Sequence, residues 1–101
     1  MKIKVTAQHI QEGQPRGSRN CPVALALNEV LYDRYYASVG RSTYSIFLDA
    51  GLHTYVAYRG NLPWGLRLFI DSYDSELLHT NEIEADVAIP VGYIKYPRRE
   101  Y

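Results

Sequence analysis

Tyr35-Tyr36-Ala37-Ser38-Val39-Gly40-Arg41-Ser42-Thr43-Tyr44-Ser45-Ile46-Phe47-Leu48-Asp49-Ala50-Gly51-Leu52-His53-Thr54-Tyr55-Val56-Ala57-Tyr58 holds three runs of aromatic and β-branched residues, divided by two glycine-bearing turns. Such runs read as strands. Gly40-Arg41 suits a type II′ hairpin turn between Tyr35–Val39 and Ser42–Leu48. Asp49-Ala50-Gly51 suits a three-residue loop with glycine in the left-handed position. Alternation places Tyr44, Ile46 and Leu48 on one face of the second strand. In the third strand, Leu52 to Tyr58, it sets Leu52, Thr54, Val56 and Tyr58 against His53, Tyr55 and Ala57. The three runs predict an antiparallel meander.

Outward from this centre, Lys2 to Ala7 alternates with Ile3, Val5 and Ala7 on one side, a half-buried strand. Gln11 to Arg19 holds two glycines, a proline and no apolar residue, and reads as a loop. A helix follows, with Asn20 as its N-cap and Pro22 in its first turn. Val23, Ala26, Leu27, Val30 and Leu31 form its apolar stripe, and its end is expected near Tyr32 or Asp33. Beyond the meander, Arg59-Gly60-Asn61 reads as a turn. Pro63 opens a second helix striped by Leu66, Phe69, Ile70 and Tyr73. Glu82 to Ile89 alternates as a strand with Ile83, Ala85, Val87 and Ile89 inward. Tyr93 to Tyr96 reads as an extension of it, and Pro97 to Tyr101 as a loosely held tail. The expectation is one α+β domain over residues 1–101, in the order β-α-β-β-β-α-β, with two helices on one face of the sheet.

Composition bounds the function. The chain has 101 residues, 47% hydrophobic and 22% charged, enough for one core. Eleven basic residues balance eleven acidic ones, which argues against a dedicated duplex nucleic-acid coat. No apolar run approaches a membrane span, and the alternating N-terminus does not read as a signal peptide. One cysteine, Cys21, leaves no internal disulfide, and a reducing, cytoplasmic setting is the expectation. His9, His53 and His79 follow no metal-ligand spacing, so neither a metal nor a cofactor is expected. Charge is uneven: residues 1–70 hold eight Lys/Arg and four Asp/Glu, and residues 71–101 hold three and seven. The stretch Asp71, Asp74, Glu76, Glu82, Glu84 and Asp86 reads as a solvated face or an arginine-seeking surface.

Asn20 and the run Cys21-Pro22-Val23-Ala24-Leu25-Ala26-Leu27 resemble a set of small, uncharacterised phage and bacterial proteins. These open with a strand ending in His-Ile, continue through a glycine-bearing loop into a "CPVALAL" helix, and carry later Leu-Pro, Phe-Ile and aromatic-Asp pairs. Here the matching residues are His9-Ile10, Gly13, Cys21 to Leu27, Leu62-Pro63, Phe69-Ile70 and Tyr73-Asp74. The resemblance implies a small phage-type protein and supplies no catalytic residue. The segment after Ile89 is longer than the resemblance leads one to expect.

Three places invite chemistry. Cys21 at a helix start, with Arg16 and Arg19 near in sequence and His9 before the loop, is a candidate thiolate; the alternative is a small buried residue. The Gly13–Arg19 loop leading into Asn20 and Cys21 is a candidate anion cradle, or a solvated loop. Ten tyrosines are the compositional anomaly. Tyr36, Tyr44 and Tyr55, with Arg41 and Arg59 at strand ends, offer a stacking, anion-binding surface, or else cross-strand aromatic pairs without a ligand. The reading favoured is a non-enzymatic binding protein, a counter-defence inhibitor by resemblance. It would engage a host protein or a small anionic, nucleotide-type ligand through Arg16, Arg19, Asn20, Cys21, Tyr36, Arg41, Tyr44, Tyr55 and Arg59. A homodimer using exposed Tyr and Trp64 is also expected. The alternatives are a thiol enzyme using Cys21, or an assembly protein whose meander edge or C-terminal tail adds to a neighbouring sheet.

Overall fold

The structure, a computed structural model, describes residues 1–75 and 81–95. The fold is α+β, with five antiparallel strands and three α-helices among the described residues. In chain order these are β1 (Lys2–Val5), α1 (Ala7–Glu12), α2 (Pro22–Val30), β2 (Tyr35–Val39), β3 (Thr43–Asp49), β4 (Thr54–Asn61), α3 (Trp64–Asp74) and β5 (Ile83–Asp86), followed by a 3-10 turn at Val91–Tyr93. The meander is present, ordered β2-β3-β4. β1 and β5 pair separately, Ile3 opposite Ala85 and Val5 opposite Ile83. Helix α2 packs against both β1 and β2, and so links the two sheets. Its Val23, Ala24, Ala26 and Leu27 are buried with Ile3, Val5, Ala37, Ile46, Leu66, Ile70 and Val87 in one core.

Several local expectations change. The chain from Ala7 to Glu12 is a helix, so the order gains an element and His9 does not end a strand. Thr6 caps it: its hydroxyl accepts from the His9 amide at 3.3 Å, and His9 Nδ1 accepts from the Thr6 amide at 2.9 Å. This is a reciprocal cap with histidine where Glu or Gln is usual. Cys21, not Asn20, stands at the N-cap of α2, and that helix ends at Val30. Arg59-Gly60-Asn61 is strand, and the third strand starts at Thr54. The registers Ile46–Tyr58 and Phe47–Val56 leave Ala57 as the extra residue of a β-bulge. The bulge reverses the facing along β4, so Val56 and Tyr58 do not share a side.

The turns differ too. Gly40 donates to the Thr43 carbonyl at 2.8 Å, which leaves Arg41-Ser42 as the link. Gly51 (φ 81°) is the described glycine in the left-handed region. Ala50 donates to the His53 carbonyl at 2.9 Å, so Gly51 takes the first central place of a two-residue turn. That is where a type II′ turn wants glycine. Helix α3 buries Leu66, Phe69 and Ile70 as its stripe predicts. β5 is shorter than Glu82–Ile89, although Val87 and Ile89 remain buried beyond it. Ile94 bridges to Leu31 instead of extending β5. Glu76 and the tail from Pro97 lie outside the described residues.

Candidate functional site

The segment from Gly13 to Cys21 is folded on itself. Gln14 donates to the Asn20 carbonyl at 2.9 Å, Gly17 to the Gln14 carbonyl at 3.2 Å, and Cys21 to the Gly17 carbonyl at 2.8 Å. Gln14-Pro15-Arg16-Gly17 is therefore a hydrogen-bonded turn with Pro at its second place. Arg16, at the third, has φ 60°. Glycine is the residue that this place in a type II turn favours. The Arg16 amide donates to Asp74 Oδ1 at 2.8 Å, so the end of α3 holds the turn. Tyr73 adds to this hold, its hydroxyl donating to the carbonyls of Ile10 (3.0 Å) and Gly13 (2.8 Å). Gly13 and Pro22 are in close contact; a Cβ on Gly13 would lie 2.6 Å from the proline ring. Residues distant in the chain, His9-Ile10, Gly13, Pro22 and Tyr73-Asp74, thus meet around this loop.

Between the loop, the Gly40-Arg41 turn and the C-terminal end of α3 lies a cleft of about 490 Å³. Arg16, Ser18, Arg41, Asp71, Asp74 and Ser75 supply its polar wall, and Cys21, Val39 and Ile70 its apolar floor. Arg41 stands 4.0 Å from Asp71, with both side chains largely exposed, an arrangement worth little by itself. The Arg16 guanidinium makes no ion pair among the described residues. Cys21 is 5% exposed. Burial pushes its thiol up, the Ala24 and Val23 amides at the start of α2 oppose this, and the Asp74 carboxylate adds to it. The neutral thiol is thereby favoured, the reverse of what a nucleophile needs. His9 does not activate it. Its Nδ1 is engaged by Thr6 and its Nε2 lies 2.5 Å from Glu29 Oε1. Since Nδ1 accepts the Thr6 amide, Nε2 carries the proton and donates to Glu29.

Of the nine residues read from the sequence, the cleft gathers Arg16, Cys21 and Arg41. Asn20 is exposed in the loop, its Oδ1 close against Gly17. Arg19 lies over the Tyr36 ring at 4.1 Å, and Tyr36 stacks on Phe47 at 5.3 Å. Register places Val56 next in that row, and Arg59 with Ser38 and Ser45 in the neighbouring one. These are cross-strand contacts, the aromatic pairing that needs no ligand. Tyr44 belongs to the core, 1% exposed, with its hydroxyl donating to the Ala88 carbonyl. Tyr55 is half exposed beside His53. Sequence reading missed Asp71 and Asp74 as cleft residues. The signal was present in their i, i+3 spacing, which puts both carboxylates on one side of a helix that buries Ile70. Among the described residues no group of three His, Cys, Asp or Glu is placed to hold a metal, and no helix is long and apolar enough to cross a membrane. Compared with family models, curated proteins and solved structures, the chain matches none of them.

Proposed function

We propose that the chain works by binding and that its ligand is a small anion of nucleotide type, held in the cleft. The observation that carries this reading is Arg16: an arginine in a backbone conformation that favours glycine, tied down by Asp74, with its guanidinium in no ion pair among the described residues and lining a 490 Å³ cleft. Strained residues persist where the surrounding structure holds them, and they cluster at binding sites. Arg41 faces the same space and is only loosely paired, so both guanidinium groups can turn to a phosphate. Val39, Ile70 and the neutral Cys21 supply apolar lining against which a ring can pack. The resemblance to small phage and bacterial proteins suggests the setting, sequestration of a host signalling nucleotide in the cytoplasm as a counter-defence. Binding is favoured over thiol catalysis because Cys21 is buried and His9 is committed to Thr6 and Glu29.

The test is a thermal-shift screen against cyclic and linear nucleotides, with native mass spectrometry. A ligand at about 100 times its Kd adds roughly 2.7 kcal/mol, several degrees for a domain of this size. The expected result is a shift with an unaltered ligand mass, abolished in Arg16→Ala/Arg41→Ala. An altered ligand mass would overturn the binding reading in favour of an enzyme. No shift across the panel would move the target to a host protein, sought by pull-down.

A further inference from the structure

The three-stranded sheet treats its two edges differently. On β2, each amide turned away from β3 has an acceptor. Tyr35 donates to the Tyr32 carbonyl at 2.9 Å, Ala37 to Asn28 Oδ1 at 2.8 Å, and Val39 to the Ser18 carbonyl at 2.7 Å. The chain's own loop and helix close that edge. β4 is the opposite edge. Leu62 donates inward to the Ser42 carbonyl at 2.8 Å, so alternation turns the Asn61 and Arg59 amides outward. The Ala50–His53 bond sets the phase beyond the bulge and turns the Thr54 amide outward as well. None of these three amides has an acceptor among the described residues. Tyr93 touches this side, its hydroxyl on the carbonyl of bulged Ala57 at 3.2 Å.

Proteins usually guard an open edge with lysine, proline, inward charge or a β-bulge. Thr54–Asn61 has no lysine and no proline; its guards are one charge, Arg59, and the Ala57 bulge. Tyr55 and Val56 are about half exposed, and Leu52 at the hairpin tip is 97% exposed.

We propose that β4 pairs antiparallel with β4 of a second copy, joining two meanders into one six-stranded sheet. Opposed residues must share a face, and outward amides must meet outward carbonyls. Both conditions hold at the two ends of the pairing when Arg59 stands opposite Thr54 of the second copy and Tyr58 opposite its Tyr55; at the centre Val56 faces Ala57, whose carbonyl already accepts from Tyr93. Thr54 is paired within its own sheet to Asp49, on the same face. Arg59 therefore points toward a carboxylate of the second copy and not toward a second Arg59. Sliding the register by two residues sets Arg59 against Val56 and loses that match. The second copy thus supplies the strand, the symmetry and the complementary charge together.

The test is molar mass by light scattering and sedimentation on the full chain, from about 1 µM to about 1 mM, the range of a weak to moderate dimer. The expected mass rises toward about twice 11.6 kDa. Val56→Lys brings two ammonium groups together near the two-fold axis, and Arg59→Glu faces Asp49 of the second copy. Each is expected to weaken association more than about tenfold while the circular dichroism spectrum, and the melting at concentrations low enough that the natural chain is monomeric, stay unchanged. Both positions are exposed and lie outside the cleft, so a folding failure is separable from a loss of pairing. A chain that stays monomeric throughout, or a dimer that survives either substitution, overturns the proposal.

Discussion

Arg16 sits where a glycine would fit with less strain. A left-handed conformation costs an L-residue roughly 1–2 kcal/mol, and glycine's extra freedom in the unfolded chain returns about 0.5–1 kcal/mol of that. Arg16→Gly is thus expected to leave the melting temperature unchanged or slightly raised, while the nucleotide-induced shift disappears. Calorimetry with and without ligand reads both effects; a large loss of stability without ligand would contradict the strain. Tyr44 shows the opposite logic. Its phenol is pushed up to about 12, first by burial and then by Tyr58 beside it. The folded value lies above the ordinary one of about 10, so the fold holds the neutral form. That contribution is whole below about pH 10 and is lost as pH rises through about 12. Melts taken over that window should fall more steeply for the natural chain than for Tyr44→Phe, which at neutral pH should lose about 1 kcal/mol with the Ala88 bond. At Cys21, burial lowers the thiolate fraction, so alkylation near neutral pH should be slow in the folded chain and fast in denaturant. Fast native alkylation would restore the thiol-enzyme reading.

At the scale of elements, the loop from Gly13 to Cys21 owes its shape to contacts from elsewhere in the chain. α3 holds it through Asp74 and Tyr73, both within its last turn. Tyr73→Phe removes the donor for two carbonyls and should cost about 1 kcal/mol, near 4–8 °C of melting temperature in a domain of this size. Because the same loop presents Arg16, the ligand affinity of this variant should fall as well, measurable by the same titration. β4 has a comparable dependence on β3. A Cβ on Gly60 would stand 2.5–2.8 Å from the Tyr44 hydroxyl and ring, so the glycine is there to let that ring lie across the strand. Gly60→Ala should destabilise by about 1–3 kcal/mol, the range for overpacking a well-filled site, and denaturant melts measure it. The Ala57 bulge matters for the same strand, since it brings Tyr58 to the core side opposite Ile46.

For the whole molecule, α2 is the hinge of the packing. It lies against β1 and β2, which belong to different sheets, and buries Pro22, Val23, Ala24, Ala26 and Leu27. The β1–β5 pair is extended by one more link, where the Met1 amine donates to the Val87 carbonyl at 2.9 Å and the Val87 amide returns to the Met1 carbonyl at 2.8 Å. One loop therefore faces two ways, presenting Arg16 to the cleft and Arg19 to the outer face of the meander. The Arg19–Tyr36–Phe47 stack satisfies itself, which is why the ligand reading rests on the cleft and not on the tyrosine-rich face.

The sequence by itself determined the α+β class, the meander, both longer helices and the glycine of the second turn. Each depends on local periodicity or on a backbone preference that a few neighbouring residues express. It did not reveal α1, because a histidine stands in for the usual capping acid and the helix is one short turn and a half. It misplaced the faces of β4, because a bulge is settled by how Tyr44, Gly60 and Ile46 pack and leaves little trace in alternation. The cleft was legible only in part. Arg16, Cys21 and Arg41 stood out as residue types, but Asp71 and Asp74 lie thirty residues or more along the chain from all three, and packing alone brings them together. Tyr44 and Tyr55 carry the same side chain in the same meander. Only the tertiary structure decided that one fills the core and the other meets water, because burial depends on which elements close over a face.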